Sequence, residues 1–464
     1  MRRLMTRAAG YVTDRPGEPW LVVLLGAVAL AFVAGHVVQV LNYVLPAGQF
    51  KIMHVGGAAL VIMLSIAAAT RSAVSRWVHV ALAVVAAGVI WYVFVEHRAL
   101  TTQRSFLPNP TDIGVALALL ALALYASMRE WGWIVSLIAV VGLLYGYFGP
   151  LMPEGLLYHG GLTLRRLIGY TSIPYFGGLL GSLAELSAGT IFPFMLFAAG
   201  LQATGCVAFI MDVAYRIGGR TRAGPAQIAV ISSGFMGMVS GSSVANVAST
   251  GALTIPLMKR VGFKPEFAGA VEAVASTGGQ ITPPVMGLAA FLIVGLTGIP
   301  YGEIILAAAF PALIYYLYLM MAVHLRAVKR DLDASSDGLL AREFAARDPL
   351  WRACLKHLHF FVAIAYLVWV LIATNLPGRS AIESTAILLV LFVLRELLRS
   401  WRGPTAIASN LVRLLCRTAY DGALRGAQVA IVVAVIGVLV DILAVTGFAQ
   451  KLSFAMLELA GGNL

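Results

Sequence analysis

Charge is scarce in this 464-residue chain: 12% of its residues are Asp, Glu, Lys or Arg, while 60% are hydrophobic. A soluble domain carries about 25% charged residues, so an ordinary solvated surface is excluded. Cysteine is scarce too. Cys206, Cys354 and Cys416 are far apart and odd in number, which implies no disulfide framework. No Gly-Lys dipeptide occurs, so the phosphate loop of ATP-driven machines is absent. A membrane serine protease needs a base at the depth of its nucleophile, and no histidine lies in the segment around Ser240. Most of the eight histidines are expected near span ends or loops. Cys354, His357 and His359 lie close together without a fourth ligand and read as an interfacial cluster, not a metal site.

What the chain does have is apolar blocks: Trp20–Leu45, Gly56–Thr70, Trp77–Val95, Gly114–Met128, Trp131–Phe148, Ile305–Val323, Phe360–Ala373 and Ala386–Leu394. Blocks near the roughly 20-residue spanning length are transmembrane candidates, and shorter ones need their flanks to reach across. Lipid offers no partner to backbone N–H and C=O groups, so the fold class is all-α with polytopic transmembrane helices. Met1–Trp20 is polar and basic and reads as a leader into the first span, not a signal peptide. With the N-terminus inside, 26 of the 33 Lys and Arg fall on the inner side. A wrong span count would scramble that bias, and the bias explains the net charge of +12 without nucleic acid.

Two segments break the regular pattern. Between Arg220/Arg222 and Lys259/Arg260/Lys264 lies an apolar stretch interrupted by Ser240-Gly241-Ser242-Ser243. Both flanks are basic, so the stretch enters and returns on one side. Each arm has roughly 15–17 residues, about 25 Å of helix against a ~30 Å core, which predicts a re-entrant hairpin. Then Glu266–Thr277 is helical in pattern, Gly278-Gly279-Gln280-Ile281-Thr282-Pro283-Pro284 cannot continue a helix, and Val285–Leu296 resumes. That is one span broken in mid-membrane. Such breaks place free backbone groups and hydroxyls where transporters bind ions and substrate.

A hard monovalent cation such as sodium wants several carbonyl and hydroxyl oxygens. Ser240, Gly241, Ser242, Ser243 and Asn246 supply them at the hairpin tip, and Ser276, Thr277, Gly278, Gly279 and Thr282 at the broken span. Half-helix N-termini at that depth suit an anionic substrate group. The competing structural reading is that Ser and Gly only let helices pack closely. Two consecutive breaks favour the functional one. Glu272 lies in the apolar run Ala268–Ser276, either as a proton carrier or polar anchor, or as a hydrogen-bonded carboxyl near the surface. Asp441 and Glu185 are weaker candidates, since either fits an interface.

The run Ser240-Gly241-Ser242-Ser243-Val244-Ala245-Asn246, with Thr254-Ile255-Pro256-Leu257-Met258-Lys259-Arg260 and Gly262 to Ala270, continues to Ser276-Thr277-Gly278-Gly279-Gln280 and Pro283-Pro284. It closely resembles the large membrane subunit of tripartite ATP-independent periplasmic (TRAP) transporters, from about Trp131 onward and most specifically over 224–300. The wording Glu272 to Gln280 is similar to the TAXI branch, in which small and large subunits are fused. The resemblance implies a four-span small-subunit-like part at 1–128 and a large-subunit-like transport part at 129–464. It also implies a bacterial inner-membrane, elevator-type secondary transporter with a cytoplasmic N-terminus. A periplasmic substrate-binding protein would deliver a small organic acid, and the coupling ion would be sodium, with a proton as the alternative. The site would run from Ser242, Ser243 and Asn246 to Gly278–Pro284, Gln280, Pro283 and Pro284 included. No cofactor and no enzymatic activity are implied.

The family's large subunit holds two inverted repeats. Thr204-Gly205 followed by Gly218-Gly219 is echoed by Thr446-Gly447 followed by Gly461-Gly462. The second hairpin that should follow is not reached by Leu464, so the expectation is a C-terminally incomplete transport part that does not transport alone. The alternatives from other classes are a non-transporting membrane scaffold or docking protein, a remnant of such a permease, and an ion channel. The segment Asp331–Arg347 reads as a solvated linker without assigned function.

Overall fold

The computed structural model describes residues 18–105, 107–219, 221–332, 349–399 and 404–459. The leader at 1–17, most of the linker and Gly461-Gly462 lie outside them. Every regular element among the described residues is helical. Among the described residues, eight helices are long and apolar enough to cross a membrane, or nine if one bent pair is a single span.

Most helices are longer than the apolar blocks that announced them. The blocks at 56–70, 77–95 and 114–128 become α2 (Ala47–Ala69), α3 (Ala73–Thr101) and α4 (Pro110–Trp131), after α1 (Pro19–Asn42). Polar caps start α3 and α4. The Asn109 side chain accepts from the Asp112 N–H at 2.7 Å while Asp112 accepts from the Asn109 N–H at 2.8 Å, a reciprocal cap. Ser72 caps α3 in one direction only, its hydroxyl accepting from the Ser75 N–H. Then follow α5 (Trp133–Phe148), α6 (Leu164–Thr171), α7 (Ser182–Leu186), α8 (Phe192–Ala203) and α9 (Cys206–Gly218). Next come α10 (Gly224–Ser240), α11 (Ser243–Asn246), α12 (Ala252–Arg260), α13 (Pro265–Gly278), α14 (Leu288–Thr297) and α15 (Tyr301–Lys329). The chain ends with α16 (Leu350–Lys356), α17 (Leu358–Thr374), α18 (Pro377–Arg399), α19 (Pro404–Val445) and α20 (Phe448–Leu459).

Contacts divide the chain into two compact units, residues 1–192 with 419–464, and residues 193–418. In the first unit α2 is the central helix, buried along nearly its whole length. Gly56 and Gly57 make that possible: a Cβ on them would stand 2.7 Å from Ile90 of α3 and from Phe32 of α1. The carboxylates of this unit that the sequence brings into its interior are paired. Asp112 accepts from Tyr92 Oη at 2.8 Å and faces Arg104 at 3.4 Å. Asp441 accepts from the Gly178 N–H, and Glu185 pairs with Lys51 at 3.1 Å, so both weaker sequence candidates have structural partners.

Two of the eight histidines, His36 and His54, lie away from span ends, while the other six sit near helix ends or in loops. His36 and His54 are fully buried on adjacent spans, with Nε2 of the first 2.8 Å from Nδ1 of the second. His36 Nδ1 must donate to the Phe32 carbonyl, 2.7 Å away. With both rings neutral the remaining bonds then have one direction: His54 Nδ1–H donates to His36 Nε2, and Ser187 Oγ donates to His54 Nε2 at 2.9 Å. Ser187 opens a π-helical turn, Ser187–Ile191, which aims its hydroxyl at the pair.

The weak Thr-Gly echo is legible as backbone geometry. Thr204 donates from its N–H to Gly200 O and from Oγ1 to Gly200 O and Leu201 O, and Gly205 follows at φ +94°. Thr446 donates likewise to Ile442 O and Leu443 O, and Gly447 follows at φ +70°. In both copies the threonine closes a helix and glycine takes the left-handed turn that other residues avoid.

Candidate membrane-embedded site

The second unit contains both interruptions. The hairpin runs up α10, turns at Gly241 and Ser242, and returns through α11, a π turn at Val247–Gly251 and α12. Gly241 sits at φ +61°, and a Cβ there would lie 2.2 Å from the Met286 carbonyl. Only glycine fits such a corner. The broken span is α13, a short 3₁₀ turn at Gly279–Ile281, an irregular stretch with a cis Pro283–Pro284 bond, and α14. Tyr301 Oη donates to the Pro284 and Val285 carbonyls at 2.9 and 2.7 Å, providing partners the broken helix lacks.

Hairpin and broken span meet through their backbones. A Cβ on Gly237 would stand 2.2 Å from Gly279 Cα, and one on Gly279 would stand 2.4 Å from Gly237 Cα. The tip then reaches the break: Gln280 Nε2 donates to Ser243 Oγ at 3.0 Å, and Gly287 N–H donates to the Gln280 carbonyl at 2.6 Å. Asn246 is fully buried and donates Nδ2 to the Ser233 carbonyl at 2.7 Å, tying the two arms together.

Glu272 is also fully buried, one turn before Ser276. Its Oε1 accepts from Ser233 Oγ at 2.7 Å and Thr250 Oγ1 at 2.5 Å, with Ser276 Oγ at 3.5 Å. Its Oε2 accepts from Thr254 Oγ1 at 2.6 Å. Both hairpin arms therefore converge on one carboxyl of the broken span.

Of the residues expected at the site, Ser243, Asn246, Gly279 and Gln280 come together, with partly exposed Gly241 and Ser242 beside them. Ser240 is buried and turns its hydroxyl to the Ser242 carbonyl. Gly278 is packed under the Tyr315 ring. Thr277 is exposed with Oγ1 bonded back to Ala273 O, and Thr282 bonds back to Gly278 O, so neither hydroxyl turns to the hairpin. Pro283 is partly exposed and Pro284 is buried. Sequence reasoning missed Ser233, Thr250, Thr254 and Gly237. The signal was present as four-residue spacing: Ser233, Gly237 and Gly241 on one arm, Asn246, Thr250 and Thr254 on the other, and Glu272, Ser276 and Gln280 on the span.

A hairpin packed on a mid-span break, both lined with hydroxyls and backbone groups, defines a class: polytopic membrane proteins that handle solutes within the bilayer. Family comparison narrows the class. Residues 113–464 match the model of the tripartite ATP-independent periplasmic transporter, DctM component, and the chain belongs to that family. It is 31% identical over 161 residues to the C4-dicarboxylate TRAP transporter large permease protein DctM of Pseudomonas aeruginosa, covering 34% of this chain and 37% of that one. Similarity to the Vibrio cholerae sialic acid TRAP transporter large permease protein SiaM is 26% over 196 residues, 41% of this chain and 45% of the relative. With the isethionate TRAP transporter permease protein DctMQ of Oleidesulfovibrio alaskensis it is 29% over 217 residues, 45% and 33% respectively. These alignments span less than half the length of each curated relative.

Proposed function

We propose that this chain is the membrane permease of an ion-gradient-driven, binding-protein-dependent importer of a small organic acid. It is a fused small-plus-large subunit of the TAXI kind in a bacterial inner membrane, with its N-terminus cytoplasmic. One observation carries the reading: the Gly/Ser hairpin tip packs on the broken span through the Gly237–Gly279 contact and the Ser243–Gln280 bond. Ser242, Ser243, Asn246 and the Gly278–Thr282 backbone then form one half of a sodium and substrate site, with a proton as the alternative coupling ion. C4-dicarboxylate, sialic acid and isethionate, in the names of the three relatives, are all organic acids, which supports the substrate class. The four hydroxyls around Glu272 support its role as polar anchor of the hairpin.

The test is uptake of labelled succinate, sialic acid and isethionate into proteoliposomes holding the full-length chain and its neighbouring binding protein. Saturable uptake that needs the binding protein and an inward sodium gradient, and that falls on Ser243→Ala and Asn246→Leu, is expected. Uptake driven by a proton gradient alone would move the coupling ion to H⁺. A docked binding protein without uptake would sink the importer reading in favour of a scaffold, and unsaturable conductance would point to a channel.

A further inference from the structure

Behind the hairpin, within the second unit, lies a cavity of about 810 Å³. Its walls are Phe197 of α8, Phe235 and Val239 of the first hairpin arm, Val285 of the broken span, and Cys354 and Trp369 of α16 and α17. Every lining residue is apolar. A buried water needs two to four polar partners, and this lining offers it none. A protein interior is close-packed and does not keep an empty space of this size. Phe235, Phe361 and Trp369 are 39%, 45% and 66% exposed, so the cavity opens on a face that belongs in hydrocarbon.

The nearby helix α16 supplies the polar end. It is bent by 69° from α17 and reads Leu-Trp-Arg-Ala-Cys-Leu-Lys, with two cations and no acid. Leu350 and Cys354, four apart, line the cavity. Arg352 and Lys356, also four apart, are exposed, and Arg352 stands 5.0 Å over the exposed Trp351 ring, as interfacial anchors do. We propose that the cavity holds an acyl chain of an anionic phospholipid, its phosphate held by Arg352 and Lys356. The lipid would then form part of the wall against which the hairpin arm and broken span rest. The proposal does not depend on the transport reading.

The test uses the full-length chain in nanodiscs doped with phosphatidylglycerol or phosphatidylcholine carrying a photoactivatable acyl chain, with labelled peptides mapped by mass spectrometry. Label from phosphatidylglycerol is expected to concentrate on residues 197–213, 235–239 and 350–369. Its excess over phosphatidylcholine should be about fivefold for each basic residue engaged. Ala365→Trp, at the cavity, should lower that label by about tenfold, the loss of a well-formed apolar site, while labelling of exposed Leu306 and Phe310 on α15 stays constant. Ala365→Leu serves if the larger residue prevents folding. Arg352→Gln with Lys356→Gln should erase the headgroup preference and leave tail labelling. Label spread evenly over the outward faces and indifferent to both Ala365 variants would overturn the proposal, leaving annular lipid only.

Discussion

Glu272 allows a quantitative test of what holds the hairpin to the broken span. Three hydroxyls, on Ser233, Thr250 and Thr254, donate to its carboxyl within 2.5–2.7 Å. Each also has a second acceptor: Thr250 Oγ1 for Ser233 at 3.1 Å, Asn246 O for Thr250 at 2.9 Å, and Thr250 O for Thr254 at 3.1 Å. Removing the carboxyl therefore does not orphan them, and the loss is the net worth of three bonds, about 1 kcal/mol each. Glu272→Ala should cost about 3 kcal/mol, with some addition for the space left behind. Glu272→Gln keeps the shape. Its Nε2 at the Oε2 position can donate to Thr254 Oγ1, whose proton turns to Thr250 O, so one bond is weakened and the cost is about 1 kcal/mol. For a unit of this size each kcal/mol lowers Tm by about 2–4 °C. Thermal denaturation in nanodiscs should thus show a drop of about 2–4 °C for Gln and about 6–12 °C for Ala. The Glu272→Ala and Thr254→Val losses should add incompletely, by about 1 kcal/mol. Equal Tm values for the Gln and Ala variants would refute the reasoning, because the anchor argument rests on the hydroxyls finding an isosteric partner. Uptake separates the roles as well: an anchor tolerates Gln, whereas a proton carrier does not.

The remaining predictions concern other contacts. Gly237→Ala places a methyl 2.2 Å from Gly279 Cα; overpacking of this kind costs about 1–3 kcal/mol, and both Tm and uptake should fall. Wild-type uptake by this variant would refute the close-contact reading. His54→Phe leaves Ser187 Oγ and His36 Nε2 buried without their partners, so stability should fall by about 1–3 kcal/mol, measured by denaturation; Ser187→Ala, which removes only a donor, should cost less. Asn109→Ala removes the cap of α4 and should cost about 1 kcal/mol, and hydrogen exchange should show the loss confined to the first turn of that helix.

The fold class was legible because hydrocarbon leaves the backbone few choices, and the hairpin and broken span were legible because Gly, Ser and Pro interrupt otherwise apolar runs. Helix limits were less so. The starts of α3 and α4 are set by the side-chain caps of Ser72 and Asn109 in polar flanks, which hydropathy undervalues. The pairing of His36 and His54 was not legible for another reason. Each sits inside its helix, and only the fold shows that the two rings and Ser187 satisfy one another. The pairing joins residues 133 positions apart, and no local pattern encodes it.

The candidate site shows where the boundary of sequence reading lies. Ser240, Ser242 and Ser243 stand out because they break a run, yet the hydroxyls that grip Glu272 are those that do not: Ser233, Thr250 and Thr254 lie inside helices. Their signal is a spacing of four, repeated on both arms and answered by Glu272, Ser276 and Gln280. A four-residue stripe turns slowly around a helix, so it stays on one side over two turns. Three such stripes in adjacent segments can bury their polar groups only against one another, because lipid accepts none of them. Polar spacing within an apolar helix therefore predicts which faces meet, while the conspicuous breaks predict where the backbone opens. The two signals are independent, and here they converge on the same few residues around Gly237, Asn246 and Gly279.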